Sequence, residues 1–138
     1  MVAFNKFECF VGDLGDKVHD LDADLLECYL SNAAPSASGD SIKTDLAEIS
    51  IENGYTGGED TTNAWAEAGG TGTLTATDIV ITASGGTVGP FQYVAMFNET
   101  SGAPVDPLIG WWDYGSAVTL QDGETFTIDF GASVLTIT

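Results

Sequence analysis

The chain has 138 residues, 43% apolar and 10% aromatic, which suits one domain with a real core and excludes compositional disorder. Twenty-one acids face three lysines and no arginine, for a net charge of −18. Nucleic-acid backbones are gripped by Lys and Arg that displace counterions, so contact with DNA or RNA is not expected.

In chain order, MVAFNKFECF has neither the long apolar region nor the small-residue cleavage site of a signal peptide, so a soluble protein made in the cytosol is expected. Residues 3–11 (AFNKFECFV) alternate, with Phe7, Cys9 and Val11 on one side and Phe4 and Phe10 on the other. That predicts a strand apolar on both faces. GDLGDKVHDLDAD is an acidic turn, and LLECYL (25–30) predicts a second strand, ended by the loop SNAAPSASGD. If these two strands form an antiparallel pair turning near Lys17 and Val18, Cys9 and Cys28 become direct cross-strand neighbours. A disulfide is sterically conceivable there, but reduced thiols are expected in a cytosolic protein.

SIKTDLAEIS (41–50) has helical spacing through Ile42, Leu46 and Ile49, enough for one or two turns. ENGYTGGEDTTN is a loop with two dipeptides, Asn53-Gly54 and Gly57-Gly58, that favour positive φ. Residues 71–83 predict a strand turning near Thr77-Asp78. Residues 90–98 predict a long one, with Phe91, Tyr93, Ala95 and Phe97 on one face. LIGWWDYG, SAVTL, TFTIDF and SVLTIT follow, divided by turns, and Phe126, Ile128 and Phe130 alternate with polar residues. The uncharged stretch between Asp78 and Glu99 is broken by Thr, Ser, Gly and Pro90, so no membrane span is expected. Short strands at this spacing predict a single all-β domain, an antiparallel sandwich or jelly roll with at most one short helix.

Chemistry finds little to work with. The one histidine, His19, lies in an acidic turn, and no Ser–His–acid set, zinc-ligand spacing or phosphate loop is present, so no catalytic residue, metal or cofactor is assigned. Glu99, Asp106 and Asp113 each sit beside a turn, where carboxylates cap backbone amides. Asp20-x-Asp22-x-Asp24 opens like an EF-hand loop, but Leu25 stands where Gly is needed and Ser31 where the bidentate Glu should be. A looser acid-lined calcium site stays open as an alternative. Trp111 and Trp112 are adjacent, so in a strand they point to opposite faces, one to the core and one to solvent or a partner. Tyr93 and Tyr114 extend that patch.

Six segments, KFECFVGDLGDKVHDL, LLECYLSNAAP, DLAEISIENGY, VGPFQYVAMFNET, DPLIGWWDYG and GETFTIDF, together resemble a group of small tailed-bacteriophage virion proteins of the capsid decoration or cement type. The resemblance spans nearly the whole chain, through packing and turn motifs. It implies a β-rich module that clamps onto the outside of a phage head, with the major capsid protein and further copies of itself as partners. No catalytic residue is carried over. Such a protein is made in the host cytoplasm and ends on the capsid exterior. Strand edges and termini are natural docking devices, so residues 3–11 are a candidate docking or exchanged element. The interface candidates are Phe4, Phe7, Phe10, Trp111, Trp112 and Tyr114. Two other readings stand beside this one: a tail-tube or head-completion protein, and a carbohydrate-binding or calcium-dependent adhesion module.

Overall fold

The computed structural model describes residues 2–138 and is an all-β fold, with 43% of the chain in strands and antiparallel pairing throughout. The strands are β1 (Asn5–Lys6), β2 (Leu26–Ser31), β3 (Glu59–Asp60), β4 (Ala64–Ala68), β5 (Thr71–Thr75), β6 (Ile79–Thr82), β7 (Val88–Asn98), β8 (Leu108–Leu120), β9 (Thr125–Ile128) and β10 (Leu135–Ile137). One α-helix, α1 (Glu8–Gly15), and a 3₁₀ turn at Lys43–Asp45 complete the described elements.

The long β7–β8 hairpin organises the rest. It sits in a five-stranded sheet of order β1-β8-β7-β2-β3, while β10-β5-β4 and β6-β9 form two smaller sheets. Side chains alternate across a strand, so the large sheet buries residues on both faces. Leu26, Cys28, Leu30, Val94 and Met96 enter a larger core with Leu74 from β5, Ile79 and Ile81 from β6, and Ile128 from β9. Tyr29, Ala95, Phe97 and Leu108 face the other way and close a smaller core with Phe7 and Leu46. Lys43 lids that smaller core, 5.3 and 5.0 Å above the Tyr29 and Phe97 rings, and pairs with Glu48 at 2.9 Å.

Four sequence expectations are corrected. Residues 3–11 are not one strand: only Asn5–Lys6 pair, with Trp111 and Gly110 of β8, and the chain then coils into α1. The competing signal is the helical spacing of Phe7, Phe10 and Leu14 (i, i+3, i+7), which puts Phe10 and Leu14 against the larger core and leaves Val11 exposed. Val18 N–H bonds Asp13 O and Lys17 N–H bonds Leu14 O, with Lys17 at φ 65, closing the helix in a Schellman cap where glycine is more usual. Cys9 and Cys28 are therefore not ladder neighbours. Cys28 pairs with Met96 and Glu59 in the larger core, whereas Cys9 packs on the smaller one, beyond the sheet, and both thiols are free.

The third correction concerns β7. Its register against β8 shifts between Phe91 and Tyr93, a bulge that moves Phe91 to the face of Val94 and Met96, away from Ala95 and Phe97. Where a helix was expected at residues 41–50 there is only the 3₁₀ turn, tied by the Asp45 carboxylate to the Ser41 and Ile42 amides.

Candidate functional site

β8 has thirteen residues, and its outer neighbour β1 covers only Gly110 and Trp111. Beyond Trp111 that edge has no strand partner among the described residues. Between the free length of β8 and strand β9 lies an apolar groove of about 280 Å³, walled by Val2, Val94, Trp112, Tyr114, Phe126 and Ile128. That is at the lower end of small-molecule pockets, roughly 300–1,000 Å³, and suits one or two side chains of a partner better than a large ligand. Its rings interlock edge to face: Phe4 on Trp112 at 5.3 Å, Trp112 on Phe130 at 5.6 Å, Tyr114 on Phe126 at 5.5 Å. The stacking holds the rotamers of a half-exposed wall, with Tyr114 itself 53% exposed.

The six interface candidates divide by position. Trp111 and Trp112 do point to opposite faces: Trp111 packs on Phe7 at 4.6 Å in the smaller core, and Trp112 borders the groove. Phe4 is half-buried beneath Trp112, over Gly110. Phe7 and Phe10 are buried, so neither offers a surface in this fold. Trp112, Tyr114 and Phe4 meet at one place. Phe126 is the wall residue that sequence reading missed, because its alternation with Ile128 and Phe130 marks it equally well as core.

A second cleft, about 530 Å³ and more open, is lined by Leu14, Lys17, His19, Asp20, Asp24 and Trp65 among others. The Asp20–Asp24 run behind it is a self-closed turn. Asp20 Oδ1 accepts the Asp22 and Ala23 amides, Asp24 Oδ2 accepts the Asp20 amide, and Asp22 Oδ1 accepts the Trp65 amide. Among the described residues no group of three or more His, Cys, Asp or Glu is placed to hold a metal. Asp113 Oδ1 takes the Gly115 amide and the Gln92 side chain, the turn-capping role its position suggests. His19 is buried against the Phe10 ring, 5.3 Å away. Burial pushes its imidazole below the ordinary pKa, while Asp13 and Asp24 pull it back up.

Comparison of the chain with protein-family models, with curated proteins and with solved structures gave no match. Among the described residues no helix is long and apolar enough to cross a membrane.

Proposed function

We propose that the protein is a non-enzymatic structural component of a phage virion, a decoration or cement protein that binds the outer surface of the head and stabilises it. The observation that carries this is the open edge of β8, where a free strand, Trp112, Tyr114 and a side-chain-sized groove coincide. An extended segment of the shell protein can add to such an edge by main-chain hydrogen bonds and seat an apolar residue in the groove. Charge states the partner's chemistry further. Residues 44–138 carry thirteen acids and no cation, and Asp129 lines the groove, so the matching segment is basic as well as apolar. A second copy bearing −18 is repelled at close range, so copies sit side by side only when the lattice holds them. Lattice repetition then multiplies weak single contacts into firm attachment.

The test is to mix the purified protein with DNA-free heads and locate it by cryo-EM. Density repeated across the outer shell, lost for Tyr114→Ser while that variant stays folded, supports the proposal. Density at the neck or tail alone favours the tail-tube or head-completion reading. A glycan array that lights up only for the wild type favours the adhesion reading.

A further inference from the structure

Asn98, the buried residue that ends β7, uses both ends of its side-chain amide in hydrogen bonds. Its Oδ1 accepts the backbone amides of Thr100 and Ser101, at 3.0 and 3.3 Å. Its Nδ2 donates to Asp24 Oδ2 at 2.7 Å and lies 3.0 Å from His19 Nδ1. A flipped amide would set its NH₂ against two N–H groups and its oxygen against a carboxylate, so the orientation is forced. Nδ2 has two hydrogens and no lone pair to offer, hence His19 Nδ1 must be the acceptor. The imidazole is then neutral, with its proton on Nε2. That Nε2 is buried without a hydrogen-bond partner, and so is Asp13 Oδ2 on α1.

Protonating Nδ1 would turn a donor toward a donor, and Asn98 cannot rotate to accept it without abandoning the Thr100 and Ser101 amides. The charges that act on the imidazole are two carboxylates on different elements, Asp13 on α1 and Asp24 in the 20–24 turn. Lys17 and Asp20 line the cleft beside it, while β4 and β10 contribute only Trp65 and Ile137 to that cleft. An imidazolium therefore has new partners available once Asn98 lets go. We propose that His19, Asn98 and Asp24 form an acid-released latch, which holds the α1–β2 loop on the end of β7 at neutral pH and frees it on acidification. Two further bonds tie the loop to the 98–101 turn and open with the latch. Leu25 N–H bonds Thr100 Oγ1 at 2.8 Å, and Glu99 N–H bonds Leu25 O at 2.9 Å. None of the three latch residues lines the apolar groove.

His19 is the one histidine, so its ring nitrogens are read without ambiguity in an NMR pH titration of the full chain. At pH 7.5 the Nε2–H tautomer is expected. Below pH 6.5 the amides of Leu25, Thr100 and Ser101 should lose hydrogen-exchange protection, with the midpoint of the imidazole. One linked proton gives about a tenfold change in opening per pH unit within that window. His19→Gln, which cannot be charged, should keep the three amides protected down to pH 5. An Nδ1–H tautomer at neutral pH overturns the latch. So does protonation of the imidazole with the three amides unmoved, or the same loss of protection in His19→Gln. Should that variant fail to fold, the wild-type titration alone decides.

Discussion

Gly110 shows how one side chain's absence sets a local structure. A Cβ there would run into the Phe4 ring and lie 2.6 Å from Asn5 O, so β1 can pair with β8 only because this position is bare. Gly110→Ala should shift the urea midpoint by an amount equivalent to about 1–3 kcal/mol of overpacking and disorder the N-terminal segment. Phe7→Ala, in the smaller core, should cost about 3–5 kcal/mol in the same measurement, whereas exposed Tyr114→Ser should stay within about 0.5 kcal/mol. Equal losses for both would mean that the groove wall is core and the docking surface lies elsewhere. His19 gives a pH dependence with a definite sign. Its folded pKa lies below 6.5, so the unfolded chain takes up the proton first. The stability it contributes is present above pH 6.5 and declines as pH falls below that value. Glu27, raised by burial and by Glu99, acts in the opposite sense, so the His19 component is isolated by comparing wild type with His19→Gln in urea titrations at pH 7.5 and 5.5.

At the scale of elements, strands that alternate cleanly are legible in the sequence alone. Ile79 and Ile81 in β6, and Phe126 and Ile128 in β9, fall on one face as their spacing requires. The tryptophan pair also splits across β8 as period-two geometry demands. Where the pattern carried two periods at once, the longer-range context decided. Residues 3–11 alternate as a strand with both faces apolar, yet Phe7, Phe10 and Leu14 also keep helical spacing, and packing beside β8 chose the helix. β4 was invisible because AWAEA offers only one large apolar residue. It exists through pairing with β5, where Trp65 lies opposite Leu74 and over Gly72. The groove was half legible: Trp112 and Tyr114 stood out by type, but nothing local announces that β1 stops after two residues and leaves β8 open. Asn63 ties several elements at once, donating to Leu21 O and Asp24 O and accepting the Leu26 amide. Asn63→Ala strands those groups and should cost about 1–3 kcal/mol, with the exchange of the Leu26 amide rising first.

Across the whole molecule, charge is the dominant long-range term. With −18 on 138 residues, self-repulsion opposes the folded state, and Lys43–Glu48 is the one ion pair among the described residues. Raising NaCl from about 0.01 M to 1 M shortens the screening length from about 30 Å to about 3 Å, so the thermal midpoint should climb by several degrees. Calcium at matched ionic strength should add nothing beyond screening. A further rise with calcium would mean that the 20–24 turn opens to take an ion. The three lysines also divide the surface for chemical labelling. Lys6 and Lys17 are exposed, Lys43 is held against Glu48 and two rings, and the stretch from Val88 to Thr138 carries no side-chain amine at all. An amine-reactive dye or gold cluster would therefore mark the lysine-bearing third of the chain, with Lys6 beside the β8 edge and Lys17 away from it, and leave the side chains of β8 and β9 themselves unmodified.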